Sequence, residues 1–203
     1  TMNDKKTLDF YNDQARRYEQ LRARPIQRYT DQAERVALEP YLVKTADILD
    51  LGCGEGRLTR WVAEKKALMD QNFSVHGTDF SPEMILQAKR LNGELPATYS
   101  VGDAMALDFP DDSFDLVISC TAPNNFPNLE VALGEIHRVL RPGGFFFATI
   151  INSKEMARFS RYLYYAPYYL WRGLVCFFGK SGGYSRVLYS RGDLEQLLDK
   201  NFK

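Results

Sequence analysis

Residues 47–58, Asp-Ile-Leu-Asp-Leu-Gly-Cys-Gly-Glu-Gly-Arg-Leu, restrict the possible folds more than any other part of the chain. A short apolar run carries Asp50 near its end, and three glycines follow at alternate positions, Gly52, Gly54 and Gly56. An amphipathic helical pattern begins directly after them. Strand, glycine loop and helix in that order open a βαβ unit and deliver the loop to the edge of a sheet. Glycines lack the Cβ that would hold backbone away from a ligand. The helix start adds unsatisfied N–H groups and a positive dipole end. This is the pattern of a loop that holds a nucleotide-type cofactor.

A glycine pattern alone is weak evidence. The dinucleotide fingerprint Gly-x-Gly-x-x-Gly has its third glycine one position later. Here that position is Arg57, and an acidic residue opens the motif. The segments that follow strengthen the reading. The apolar run 73–78 ends in Asp79-Phe80-Ser81-Pro82, about 23 residues past Gly56. A carboxylate at the tip of a second strand is placed to accept a pair of ribose hydroxyls, and Phe80 beside it can lie against a base. Tyr99-Ser-Val-Gly-Asp103-Ala104 closes a third strand on another carboxylate. Ser113-Phe-Asp-Leu-Val-Ile-Ser119 supplies a fourth strand, and Arg138-Val-Leu-Arg-Pro-Gly-Gly144 turns the chain into a fifth.

Over roughly residues 8–151 this series of motifs resembles the class I methyltransferases that use S-adenosylmethionine. The opening Phe10-Tyr11-x-x-x-Ala15-x-x-Tyr18 is similar to that of the small-molecule enzymes of the ubiquinone and menaquinone type. The resemblance implies an α/β fold with a doubly wound, mostly parallel sheet, five visible strands in the order 3-2-1-4-5. It implies S-adenosylmethionine as cofactor, S-adenosylhomocysteine as product, and a small, apolar or aromatic methyl acceptor.

It also implies roles for particular residues. Asp50 is expected to bind backbone N–H groups of its own loop and to reach the cofactor's amino group. Gly52, Cys53, Gly54 and Gly56 form that loop. Asp79 takes the ribose, Phe80 the adenine face, and Asp103 with Ala104 the adenine edge. Cys120 and Thr121 meet the methionine part, while Tyr11 and Tyr18 fold over the cofactor. Asn124, Asn125 and Phe126 are expected in the acceptor pocket, together with Tyr162 and Tyr165 from a later aromatic segment. Glu55, Arg57 and Arg60 beside the loop are expected to be solvated.

Transfer from a sulfonium needs alignment of the acceptor and exclusion of water, so neither a nucleophile nor a metal is expected. No residue is assigned as catalytic. His76 inside strand two and His137 in the helix after strand four read as structural residues. Two other functions stay open: a non-catalytic cofactor-binding subunit or scaffold, and a nicotinamide-dependent oxidoreductase on the same topology.

Composition agrees with one α/β domain of 203 residues. Lys plus Arg and Asp plus Glu number 26 each, so net charge gives no reason to expect a nucleic-acid partner. No uninterrupted apolar run reaches spanning length, and stable membrane insertion is not expected. The opening Thr1-Met-Asn-Asp-Lys-Lys has no secretory core. Cys53, Cys120 and Cys176 are odd in number and scattered, without metal-ligand spacing, as in a reducing cytoplasm.

The periodicity divides the chain into a helical cap (1–45), a cofactor-binding core (46–151), an aromatic insertion (152–189) and a last helix within 190–203. In the cap, helices are expected over 7–21 and from Ile26 to Glu39, stopping before Pro40. In the core, strands are expected at 47–51, 73–78, 97–101, 114–119 and 145–151. Helices are expected at 57–69, from Ser81-Pro82 to Leu91, and at 129–140.

Residues 152–189 hold Phe159, Tyr162, Tyr164, Tyr165, Tyr168, Tyr169 and Trp171, and are expected to form a lid or acceptor pocket. A self-packed helical core or a lipid-contacting surface stays open for the same residues. Ser190-Arg-Gly-Asp193 looks like the capping box of a helix at 194–200. The family's last two strands are expected to be missing, which would leave strand five, with Phe145, Phe146 and Phe147, as a bare edge. On that reading the chain is truncated, or a partner covers strand five; a homo-oligomer through that edge or through the aromatic insertion is the corresponding expectation.

Overall fold

The central strands are apolar on both faces, and the fold uses both. Along β1 (Asp47–Leu51), Ile48 packs to one side and Leu49 and Leu51 to the other. β4 (Phe114–Cys120) sends Leu116, Ile118 and Cys120 one way and Val117 the other. β5 (Leu140–Ile151) alternates in the same manner, with Phe147 opposed to Phe146 and Ala148. Strands buried on two faces belong to a parallel sheet covered by helices on each side.

The computed structural model describes residues 2–15, 18, 25–69, 72–151 and 184–190. With β2 (Ser74–Asp79), β3 (Thr98–Val101) and β6 (Tyr184–Ser190), the strand order is β3-β2-β1-β4-β5-β6. The first five strands are mutually parallel, in the expected order. α2 (Pro25–Leu42) and α3 (Arg57–Ala67) cover one face with Leu38, Leu42, Leu58, Trp61 and Val62. α5 (Leu129–Val139) covers the other with Ala132, Leu133, Ile136 and Val139. Each buried Leu, Ile or Val side chain among these stabilises the fold by about 2 kcal/mol. α4 (Pro82–Asn92) seats Ile85 and Ala88 on Tyr99 of β3, and α1 (Met2–Gln14) packs on α4.

The last strand corrects an expectation. β5 is no bare edge, because β6 runs antiparallel along it, from Phe145 opposite Ser190 to Ile151 opposite Tyr184. Residues 184–189 therefore belong to the sheet and not to the aromatic insertion. The edge on which association through strand five was expected is already occupied by this chain. The remainder of that insertion, Tyr162 and Tyr165 included, and the expected helix at 194–200 lie outside the described residues.

Smaller differences have local causes. α1 runs over 2–14 where a helix over 7–21 was expected. α2 passes through Pro40 to Leu42, because Leu38 and Leu42 are both fully buried and hold the last turn on the sheet against the proline penalty. Leu140 leaves α5 and pairs with Phe114, so β5 begins five residues earlier than the apolar run suggests, with a register shift before Leu116. At the amino edge, Arg141 Nη1 donates to Asp47 Oδ2 at 2.7 Å and to Asp115 Oδ1 at 2.9 Å, which clasps β1, β4 and β5. The opposite edge is left open.

Candidate functional site

β1 is the point where strand order reverses, with β2 on one side and β4 on the other, and a crevice forms beyond the carboxyl ends at such a point. Here it is a cavity of about 800 Å³, toward the upper end of the range for small-molecule sites. It is walled by the ends of β1, β2 and β4, the glycine loop and the start of α3.

The loop is held from behind. The N–H groups of Gly52 and Cys53 donate to Thr78 O at 2.8 and 3.0 Å, and that of Gly56 to Cys53 O at 3.0 Å. Gly52, Gly54 and Gly56 have φ of +75°, +55° and +75°, a region that disfavours side chains. A Cβ on Gly52 would lie 2.2 Å from Ala122 Cβ, and one on Gly56 2.7 Å from the Tyr99 ring. Those two glycines serve the protein's own packing. A Cβ on Gly54 would meet only Tyr18 Cε1, at 3.8 Å, so this position opens onto free space. Gly56 lies against Tyr99, while Gly52, Cys53 and Gly54 line the cavity.

Three carboxylates were expected here, and each has a distinct setting. Asp79 is buried; its Oδ1 accepts the Ser81 N–H at 2.9 Å and its Oδ2 the Gly54 N–H at 2.8 Å. Burial pushes its carboxyl above the usual range, opposed by the backbone N–H groups of Ser81, Gly54 and Phe80. A carboxylate offers about four acceptor positions, so the three N–H groups leave it room to accept a hydroxyl from the cavity. Asp50 differs from expectation: Oδ2 accepts the Thr59 hydroxyl at 2.6 Å, and the loop N–H at Gly54 goes to Asp79. Burial pushes the Asp50 carboxyl up to about 6, against the opposing Thr59 hydrogen bond and the Arg57 charge. Asp103 is exposed at the rim, turned back to accept the Met105 N–H at 2.9 Å, with Ala104 buried beside it.

At the end of β4, Cys120 and Thr121 line the cavity, followed by Asn124 and Asn125 on a single 3₁₀ turn and by Phe126. Thr121 has φ +64°, a genuine outlier for a β-branched residue. Burial raises the Cys53 and Cys120 thiols well above their ordinary value, so neither is a ready thiolate. From the other side α1 leans over the opening. The Tyr11 ring meets Phe80 edge-on at 5.8 Å, and Asn12 Oδ1 accepts the Ser81 hydroxyl at 2.6 Å. Tyr11, Tyr18 and Phe80 all line the cavity.

The two histidines sit apart. Both His76 ring nitrogens lie within hydrogen-bond reach of hydroxyls on β3, Thr98 Oγ1 at 2.7 Å and Ser100 Oγ at 2.8 Å, and His137 lies on α5.

Both Glu55 and Arg57, expected in solvent, line the wall, where Glu55 is buried and Arg57 half-buried. Arg57 Nη2 donates to Glu34 Oε2 at 2.7 Å. Its Nη1 is at ion-pair distance from Asp31 Oδ1, 3.2 Å, without hydrogen-bond geometry. A trace of this was present in the sequence. A cation in the first turn of a helix opposes the dipole, so Arg57 calls for a carboxylate from elsewhere.

Comparison with known proteins bears on what this arrangement is. Residues 49–148 match a family model described as "Methyltransferase domain". The chain is similar to the 2-methyl-6-phytyl-1,4-hydroquinone methyltransferase of Synechocystis sp., 38% identical over 109 residues, which is 53% of this chain and 33% of that protein. It is similar to the demethylmenaquinone methyltransferase of Thermus thermophilus, 40% identical over 99 residues, 48% of this chain and 43% of that one. A solved structure from Thermotoga maritima, described as a SAM-dependent methyltransferase and possible histamine N-methyltransferase, has the same fold, with a TM-score of 0.57. It is 22% identical, over 72% of this chain and 63% of that one. The match spans less than half the length of either curated relative.

Proposed function

We propose that this chain, whose residues 49–148 match a family model described as "Methyltransferase domain", is a class I S-adenosylmethionine-dependent methyltransferase that moves the sulfonium methyl group onto a small, apolar or aromatic acceptor. The observation that carries the proposal is the pairing of Gly54, open to the cavity, with Asp79, which fastens that loop and keeps room to accept a hydroxyl. A cofactor with a ribose and an amino-acid moiety fits such a cradle; a side chain at Gly54 would fill it.

When bound, S-adenosylmethionine supplies a methyl group activated for in-line displacement. The chain's part is binding and alignment. Asp79 takes the ribose hydroxyls, Phe80 packs on the adenine, and Asp103 with Ala104 borders its edge. Gly52, Cys53 and Gly54 bring backbone against the amino-acid end, with Asp50 behind them and Cys120 and Thr121 opposite. Tyr11 and Tyr18 close over the cofactor and exclude water. Asn124, Asn125 and Phe126 form the acceptor side, to which we also assign Tyr162 and Tyr165.

The acceptor class follows from the relatives, whose names include a hydroquinone and a demethylmenaquinone methyltransferase, and from a wall in which Met105, Phe126 and Pro127 are apolar. Among the described residues no helix is long and apolar enough to cross a membrane. A cytoplasmic setting belongs to the same proposal, and rests on three cysteines without a pairing pattern.

Calorimetry with S-adenosylmethionine and S-adenosylhomocysteine tests the first half, and transfer of labelled methyl to reduced quinones, sterols and fatty acids the second. Binding of both nucleosides, with transfer to at least one of these acceptors, is the expected result. Tight NAD(H) binding with none of either nucleoside would overturn the cofactor assignment. Nucleoside binding without transfer to any acceptor would replace the enzyme by a cofactor-binding subunit.

A further inference from the structure

Two walls of the cavity are tied together by one buried carboxylate, and that residue comes from outside the matched domain. Glu34 lies on α2 and is 1% exposed. Its Oε2 accepts from Arg57 Nη2 at 2.7 Å, and its Oε1 accepts the Thr149 hydroxyl at 2.9 Å. The oxygen of that hydroxyl accepts the Thr121 N–H at 3.0 Å, and the same N–H reaches Thr149 O at 2.9 Å. Arg57 opens α3 directly after the glycine loop, and Thr121 follows β4 across the cavity. Ala122, next to Thr121, is the residue that leaves no room for a side chain on Gly52.

Thr121 holds φ +64° despite its branched Cβ. A conformation of that kind persists only where the surroundings over-determine it, and such positions cluster at ligand clamps. Thr149 supplies the constraint from two atoms, and Glu34 orients the hydroxyl that is one of them.

We propose that Thr149 and Glu34 are positioning residues that hold the Thr121 backbone in the left-handed region, and so set the wall against which the amino-acid end of the cofactor docks. This rests on the cofactor site proposed above. Without the Thr149 hydroxyl, Thr121 relaxes, and Glu34 Oε1 is left buried without a donor.

The test is a double-mutant cycle read as S-adenosylhomocysteine affinity by calorimetry, with thermal melting in parallel. Thr149→Val keeps the shape and removes the hydroxyl, and is expected to weaken binding about tenfold. Thr149→Ser, which keeps the hydroxyl, is expected to stay within about threefold of the unmodified chain. In a T121G background, where positive φ needs no support, Thr149→Val is expected to cost less than about threefold. If Thr149→Val fails to fold, Glu34→Gln is read in the same two backgrounds with the same expectation. Equal affinity of the valine variant and the unmodified chain, or an undiminished loss in the T121G background, would overturn the inference. Failure of the unmodified chain to bind the nucleoside would instead overturn the cofactor site.

Discussion

Asp79 Oδ2 accepts the backbone N–H of Gly54 at 2.8 Å, joining the tip of β2 to the glycine loop 25 residues earlier in the chain. The same carboxylate takes the Ser81 N–H, so it shapes the loop and starts α4 before any ligand arrives. Replacement by alanine should have two effects. The freed, partly buried N–H groups should cost about 1–3 kcal/mol of stability. Loss of the ribose acceptor should weaken S-adenosylhomocysteine binding by at least about thirtyfold. Calorimetry on a variant shown to be folded by circular dichroism separates the two, and near-native affinity would remove Asp79 from the cofactor site.

The three glycines should not respond alike. Alanine at Gly52 or Gly56 drives a Cβ into Ala122 or Tyr99, and an overpacked position typically costs about 1–3 kcal/mol beyond the positive-φ strain. Alanine at Gly54 meets only strain, about 1 kcal/mol. Melting temperatures should therefore fall more for Gly52→Ala and Gly56→Ala than for Gly54→Ala. Gly54→Val should lose nucleoside binding while it still melts cooperatively. A Gly54→Val variant that binds like the unmodified chain would contradict the cradle.

Ser81 joins two parts of the site. Its Oγ accepts the Met84 N–H at 3.2 Å as an N-cap, and its hydroxyl donates to Asn12 on α1 at 2.6 Å. Ser81→Ala should cost about 1 kcal/mol through the cap. It should also release α1, and with it the Tyr11 ring that rests on Phe80. Amide hydrogen exchange should rise in α1 more than in α4 relative to the unmodified chain. Equal protection in α1 would mean that the helix is held over the cavity by other contacts.

How much of this was legible in the sequence follows from which interactions are local. Ser81 with Pro82, Asn92 with Gly93, and the strand-to-loop step at Asp50–Gly52 are signalled within a few residues, and the structure has them in place. Alternation of strand and helix implies a parallel sheet covered on both faces, while the order of the five strands comes from the family resemblance alone. The long-range partners were not legible. Nothing near Glu34 announces that it will meet Arg57 and Thr149, the latter 115 residues away. The expectation that Asp50 binds its own loop rests on the family resemblance, and no residue beside it in the sequence signals otherwise. The fold gave that part to Asp79 and turned Asp50 inward to Thr59. The sequence does not set β6 apart from the aromatic insertion, because its residues, Tyr184–Ser190, follow directly on a glycine-rich tract.

Asp50 yields the prediction that depends on pH. Its carboxyl is raised from an ordinary 3.8 to about 6 in the folded chain, mainly by burial. Between those values the folded state keeps a proton that the unfolded state has lost, so this group makes stability fall as pH rises from about 4 to 6. At 1.36 kcal/mol per unit the contribution is at most about 3 kcal/mol, complete above pH 6 and absent below pH 4. Asp50→Asn removes the titration while its side-chain oxygen still accepts the Thr59 hydroxyl. The stability of Asp50→Asn relative to the unmodified chain should therefore increase through this window and level off above it. Asp79, raised in the same direction, titrates in both proteins and largely cancels in the difference. Urea titrations of both proteins at pH 4, 5, 6 and 7 would measure this, and parallel pH profiles would mean that Asp50 is already ionised in the folded state well below pH 6.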